Sequence, residues 1–155
     1  MGRSALREGE VTIELPTRPH DAGLWFIGHI RTPWTSRDEC PRQGDAAEGP
    51  LCRIELDREW VPALDGVGQN ERLQILYWMH DGRRDLLRQS PRSDGTTRGT
   101  FSLRSPMRPN PVASSMVTLV SVEGNILTVR GLDCIDGTPL IDIKPEFCPV
   151  KAPAP

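Results

Sequence analysis

No stretch of this 155-residue chain approaches the roughly 20 consecutive apolar residues that a membrane-crossing helix needs, and a soluble protein with no membrane partner is expected. Residues 1–23 are polar and acidic rather than basic and then apolar, so no secretory leader is read there and a reducing, cytoplasmic compartment is expected. The four cysteines, Cys40, Cys52, Cys134 and Cys148, form no C-x-x-C pair and have no histidines at finger-like spacing. That argues against a zinc site, and free thiols with no metal are expected. The formal net charge of -2 is too small for bulk electrostatics to point to nucleic acid or away from a small-molecule substrate. No segment keeps a helical period over three turns, and there is no internal repeat.

Short strands with turn signals between them recur instead, which predicts an all-β fold, a sandwich or a small barrel of antiparallel strands with minor helical segments. The chain is the length of one ordinary domain and can bury a core without disulfides or metals. Strands are predicted over 11–15, 24–31, 52–56, 72–79, 99–103 and 140–143. The clearest local pattern is a hairpin over 114–130, two alternating strands joined at Glu123, Gly124 and Asn125. In the strand over 24–31, Gly28 marks a bulge or a close approach. A helical turn is expected over 57–64, with Asp57 as its cap and Pro62 limiting it. Residues 36–50 form a loop longer than usual. The domain reading is an N-terminal extension over 1–23, a barrel domain over 24–150 and a disordered tail over 151–155.

Arginine dominates the positive charge, with 17 of the 19 cationic side chains. Seven of them, Arg83, Arg84, Arg88, Arg92, Arg98, Arg104 and Arg108, lie in one window with only Asp85 and Asp94 against them. Such a patch suits phosphate or carboxylate recognition, while arginine-rich coding and a solvated face account for it equally well. The window ends in FSLRSPMRPNP (101–111), where three prolines stiffen the backbone around two arginines. Residues 132–145, LDCIDGTPLIDIKP, again set charges beside Gly and Pro, although a plain Asp-Gly turn explains Asp136, Gly137 and Pro139 without a ligand.

With GHIRTPW (28–34), PRQGD (41–45) and LYWMHD (76–81), these segments make five blocks whose order and spacing resemble the TsaA-like family, whose characterised members are tRNA methyltransferases. The resemblance covers roughly 24–147. It implies a small β-barrel, a homodimer, S-adenosyl-L-methionine as cofactor and tRNA as substrate, methylated at N6 of threonylcarbamoyladenosine beside the anticodon. By the same resemblance Gln43, Gly44, His80, Asp81, Arg104, Ser114, Asp133, Cys134, Ile135 and Asp136 would contact the cofactor. Arg83, Arg84, Arg88, Arg92, Arg98 and Arg108 would meet the RNA or the threonylcarbamoyl carboxylate, with Arg108 and Asn110 also bracing their loop. Trp25, Trp34 and Trp60 are candidates for a dimer contact or for plain core.

Methyl transfer from a sulfonium mainly needs alignment and exclusion of water, so no nucleophilic triad is required. The proton of an acceptor nitrogen needs a base, for which Asp136 and Asp142 are the carboxylates on hand, with Lys144 orienting one of them. The chain departs from the family pattern in three places. DIKPY reads DIKPE with Glu146, RPNPIG reads RPNPVA with Ala113, and FATRS reads FSLRS. The better-known bacterial members carry a further C-terminal domain, and the chain resembles the compact archaeal members more. Two rival readings follow: a methyltransferase acting on a small metabolite, and a cofactor- or RNA-binding module without turnover.

Overall fold

Period-two burial decides where the strands of this chain sit. Leu73, Ile75 and Tyr77 are buried while Arg72, Gln74, Leu76 and Trp78 alternate with them on the opposite face. The structure, a computed structural model, describes residues 5–15, 21–91 and 95–147. Arg92, Cys148 and the tail at 151–155 lie outside them. The strands are β1 (Val11–Thr12), β2 (Gly28–Arg31), β3 (Cys52–Leu56), β4 (Arg72–Trp78), β5 (Leu86–Gln89), β6 (Arg98–Gly99), β7 (Val112–Glu123), β8 (Ile126–Arg130) and β9 (Thr138–Pro145). Three 3-10 turns, Arg58–Leu64, Val67–Gln69 and Thr100–Ser102, complete the assignment.

The chain divides into two compact units. A barrel unit comprises Trp25–Tyr77 and Ser114–Pro155, and a smaller unit comprises Met1–Leu24 and Trp78–Ala113. Six strands close the barrel in the order β2-β3-β8-β7-β4-β9, with β9 pairing back onto β2. Ile30, Ile54, Ile75, Leu127, Val129 and Leu140 fill its interior with no exposed surface. Burying each such side chain contributes about 1.5–3 kcal/mol. Closure needs bent strands, and the register skips once between β4 and β9 at Leu76/Tyr77 and once between β7 and β8 at Leu119/Ser121. The second skip leaves Val120 unpaired and half-exposed. The β7–β8 hairpin turns at Gly124, whose φ of 60° is what a type II′ turn asks of its first central residue.

In the smaller unit β1, β5 and β6 form a three-stranded sheet, tied by Ile13 N donating to the Asp85 carbonyl and Ser90 N to the Glu10 carboxylate. The Arg83 guanidinium grips Asp85 with two bonds of 2.7 and 2.9 Å, both side chains nearly buried. Behind them Gln89 Nε2 donates to Thr100 Oγ1 and to the Met107 carbonyl, and Thr100 Oγ1 donates to the Leu86 carbonyl.

Several expectations shift. The strand predicted over 24–31 starts only at Gly28, leaving Leu24, Trp25 and Phe26 exposed. Gly28 is a close approach rather than a bulge, since a Cβ there would stand 2.1 Å from the Glu55 carbonyl oxygen in an unbroken β2–β3 register. The strand predicted over 99–103 is instead the end of β6 and a 3-10 turn, because the Thr100 hydroxyl and carbonyl are bonded to Leu86 and Leu103. Asp57 does occupy the cap position of its turn, but its carbonyl and not its carboxylate takes the bond, from Trp60 N. β5 lies in what reads as loop.

Candidate functional site

The antiparallel registers bring the end of β2, the start of β3, the end of β8 and the start of β9 to one end of the barrel. Two connections therefore meet at this mouth, 32–51 and 131–137. The second is locked by backbone and short side-chain bonds. Asp136 N donates to the Trp34 carbonyl (2.7 Å) and Gly137 N to the Ile30 carbonyl (2.8 Å). Thr32 Oγ1 donates to the Cys134 carbonyl (2.8 Å), and Thr32 N donates to Asp136 Oδ1 (3.1 Å). Gly137 makes the turn at a φ of 81°, and Arg31 Nη1 stands 3.8 Å from Asp136 Oδ2. Cys134 points into the core with no exposed surface, and burial pushes its thiol up to about 12.

The PRQGD block closes against this turn. A Cβ on Gly44 would lie 1.8 Å from the Gly131 carbonyl oxygen, so only glycine permits the approach. The following bend is an Asx turn. Asp45 Oδ1 accepts from Ala47 N and Glu48 N, and these donors hold its carboxyl below the usual carboxylate range. Thr118 Oγ1 then fastens the loop to β7 through the Ala46 carbonyl (2.8 Å). Gln43 is exposed beside the contact.

Inside the mouth stands a cluster that the sequence reading did not single out. Tyr77, 1% exposed, donates to Asp133 Oδ1 at 2.6 Å and shares a 2.8 Å bond with Ser115 Oγ. Burial first, and then the neighbouring Asp133 carboxylate, push the Tyr77 phenol far above its ordinary range, so it remains a donor. One signal for it was available: Tyr77 is the chain's sole tyrosine, and it sits at an inward position of an otherwise aliphatic strand.

Neighbouring polar residues are on the other face of the sheet. Ser114 lies one position from buried Ser115, and its Oγ accepts from Gln74 Nε2 at 3.0 Å. Gln74 pairs in register with Lys144, and Leu76 with Asp142. Lys144 Nζ reaches Asp142 Oδ2 at 2.7 Å, and Asp142 Oδ1 accepts from Ile143 N. The structure thus groups Asp133–Asp136 with Gly44 at the mouth, and Ser114, Asp142 and Lys144 on the outer face. Glu146 pairs with Arg72 at 3.7 Å.

The smaller unit gathers its own blocks. Met79 N donates to the Pro111 carbonyl, and the Asp81-Gly82 turn packs so close to the Pro106 carbonyl that a Cβ on Gly82 would lie 2.7 Å from it. His80 Nε2 and Asp81 Oδ1 are 3.7 Å apart on that turn. Arg108 Nη1 bonds the carbonyls of Leu103 and Ser105, bracing the proline loop as expected. Arg84 bonds the Pro109 carbonyl and covers the Trp78 ring at 5.4 Å. Arg83, Arg84 and Arg108 are engaged inside the unit by part-buried bonds, whereas Arg88, Arg98 and Arg104 are exposed, Arg88 bonding the Thr97 carbonyl and Arg98 the Thr96 hydroxyl at the surface. Phe101, between the last two in the chain, is 82% exposed.

Among the described residues no group of three or more His, Cys, Asp or Glu could hold a metal ion, and no helix is long and apolar enough to cross a membrane. Cys40, Cys52 and Cys134 are free thiols.

Residues 29–150 match the family described as tRNA-methyltransferase O N-terminal domain. A Rhizobium radiobacter protein named "Probable S-adenosyl-L-methionine-binding protein VirR" is 51% identical over 155 residues, covering 100% of this chain and 87% of that protein. "Putative S-adenosylmethionine-dependent methyltransferase RcsF" of Pseudomonas aeruginosa is 34% identical over 125 residues, covering 77% of this chain and 54% of that protein. The crystal structure of TrmO from Pseudomonas aeruginosa matches with a TM-score of 0.66 and 30% identity, over 83% of this chain and 57% of that one. This chain thus spans less than two thirds of the length of the solved structure.

Proposed function

Because the chain belongs to the tRNA-methyltransferase O N-terminal domain family, we propose that it binds S-adenosyl-L-methionine at the barrel mouth and transfers its methyl group to tRNA. The observation that carries this reading is the 131–137 turn, a rigid row of main-chain groups beside a half-exposed carboxylate at Asp133. Main-chain groups fixed in this way recognise a nucleoside without the entropy cost of ordering long side chains. Gln43, Gly44, Cys134, Ile135 and Asp136 are the other barrel residues assigned to the cofactor, Cys134 through its backbone, and for outward-facing Ser114 the resemblance alone implies that role. His80, Asp81 and Arg104 belong to the smaller unit, and a role for them is implied by the resemblance alone.

When bound, the sulfonium supplies a methyl group to an in-line displacement with its own good leaving group. The chain's residues align the partners, keep water out and take up a proton. Asp136, tied to Thr32 N and Arg31, is the carboxylate at the mouth and the better base, whereas Asp142, held by Lys144, faces outward from the barrel. The acceptor is N6 of threonylcarbamoyladenosine. The exposed Arg88 and Arg98, with Phe101 as a stacking platform, supply the phosphate and base contacts. The assembly is a homodimer in the cytoplasm, with Trp25, 79% exposed against Trp60 at 6.2 Å between ring centroids, at the contact between copies.

A second reading, methylation of a small metabolite, is favoured by Glu146 at the position of the family tyrosine, where it pairs with Arg72. Calorimetric titration with S-adenosyl-L-methionine and S-adenosylhomocysteine should give binding of both. Incubation with labelled donor and hypomodified tRNA, followed by nucleoside analysis, should give methylated threonylcarbamoyladenosine. Absence of binding refutes the cofactor assignment, and binding without label in tRNA refutes the acceptor.

A further inference from the structure

Tyr77, Ser115 and Asp133 place three polar side chains at the end of a barrel whose other inward positions are mostly aliphatic. We propose that Tyr77 is a positioning residue: its hydroxyl, braced by Ser115, holds one oxygen of Asp133 so that the other oxygen accepts a hydrogen bond from a donor on the adenosyl ligand. This rests on the cofactor reading above and goes further by naming the side-chain contact and the residue that orients it.

Packing alone does not call for a hydroxyl here. Phenylalanine would fill the same volume, and a hydroxyl buried at 1% exposure is tolerated only because it is bonded. The bond it makes is short, 2.6 Å from Tyr77 Oη to Asp133 Oδ1, within the range of a hydroxyl donating to a carboxylate. Ser115, 8% exposed, occupies the hydroxyl's remaining capacity at 2.8 Å. The phenol titrates far above its ordinary range because it is buried, so it keeps its proton as a donor near neutral pH.

Asp133 differs from its two partners. It is half-exposed at the mouth, and Tyr77 is its only hydrogen-bond partner among the described residues. An ionised carboxylate accepts on both oxygens, and a single bond leaves much of that capacity unused. A tether serving stability alone would be complete with both oxygens satisfied by the protein. This one is fixed by one oxygen and open by the other, beside the rigid turn. Besides the adenine amino group, which all three ligands of the test share, the adenosyl ligand has two kinds of donor, the ribose hydroxyls and the charged α-ammonium, and Asp133 accepts from one of these two.

The test titrates wild type, Tyr77→Phe and Asp133→Asn with S-adenosylhomocysteine, 5′-methylthioadenosine (which lacks the α-ammonium) and 2′,3′-dideoxy-5′-methylthioadenosine (which lacks both). Melting curves run in parallel, and titrations are made well below every Tm. Tyr77→Phe should weaken S-adenosylhomocysteine about tenfold, the loss expected when a bond to a charged group is removed. It should leave the dideoxy compound unchanged. If 5′-methylthioadenosine also weakens, the donor is a ribose hydroxyl; if it does not, the donor is the α-ammonium. Asp133→Asn should reproduce the pattern with Tyr77 intact, which covers the case in which Tyr77→Phe folds poorly. An equal loss for all three ligands, or no loss for any, overturns the proposal. Failure of the wild type to bind any of them overturns the cofactor reading itself, a distinct result seen before any variant is compared.

Discussion

Replacing Gly44 with alanine probes the barrel mouth through a single methyl group. Its Cβ would appear 1.8 Å from the Gly131 carbonyl oxygen and 2.4 Å from the carbonyl carbon, whereas Cβ atoms essentially never approach closer than 3.0 Å. The two backbones must therefore separate by about 1.2 Å, and both are anchored. Gly44 precedes the Asx turn of Asp45, which is bonded onward to Thr118, and Gly131 begins the turn locked by Thr32, Trp34 and Ile30. Crowding of this kind costs about 1–3 kcal/mol. For a chain of this length each kcal/mol lowers Tm by about 2–4 °C, so a drop of about 2–12 °C is expected by circular dichroism. The displaced segment leads directly into Asp133, so S-adenosylhomocysteine should also bind at least several-fold more weakly in a calorimeter. Gly28→Ala is the control, because its Cβ would clash at 2.1 Å with the Glu55 carbonyl at the end of β2 away from the 32–51 connection. It should lower Tm while leaving the dissociation constant of the remaining folded protein unchanged. A Gly44→Ala protein with wild-type Tm and affinity would refute the reasoning.

Alkaline pH offers a second check. The Cys134 thiol is pushed by burial from an ordinary 9.0 up to about 12, so its contribution is whole below pH 9 and is lost as the pH rises from 9 towards 12, when the unfolded chain alone ionises. The slope is about 1.4 kcal/mol per pH unit, to which the raised Tyr77 phenol adds above its own ordinary value of 10.0. Denaturant melts from pH 8 to 11 should show this decline, shallower in Cys134→Ala; an equal slope in the variant contradicts the burial argument. Alanine at Arg88 and Arg98 should weaken tRNA binding and reduce its salt slope by about 1 per arginine, at a smaller cost in Tm than Arg83→Ala. Arg83→Ala should instead cost about 3 kcal/mol of stability by stranding nearly buried Asp85; fluorescence titrations and melts that reverse these outcomes refute the division of roles. Asp136→Asn should slow single-turnover methyl transfer about a hundredfold, whereas Asp142→Asn, on the outer face, should leave it unchanged. Wild-type turnover in Asp136→Asn removes it as the base.

How much was legible in advance follows the range of the interactions. β3 at Cys52–Leu56 and the hairpin of β7 and β8 are readable because alternation and a Gly-Asn turn are local signals. The absence of any sustained helical period already pointed to strands. The missed β5 has no such pattern: Leu86, Leu87, Arg88 and Gln89 become a strand because β1 and β6 pair on either side of them. The opposite error, a strand over 99–103, arises because Thr100 spends its hydroxyl on Leu86, a partner invisible to local reading. Among the site residues, the prolines and Asp-Gly of the two charged segments marked stiff turns correctly. The arginine window could not be sorted, since which guanidinium is used internally depends on where Asp85, Pro109 and the Leu103 carbonyl end up.

Residue order alone determined strands of period two, turns at Gly124 and Gly137, and the five blocks that mark the family, because all of these depend on backbone preferences within a few positions. Closure of the barrel decided the rest. It set Tyr77 against Asp133, 56 residues away, and sent Ser114 and Ser115 to opposite faces of one strand. It also pressed Gly44 onto Gly131. Contacts between segments so far apart in the chain leave no local pattern, so only the folded sheet reveals them.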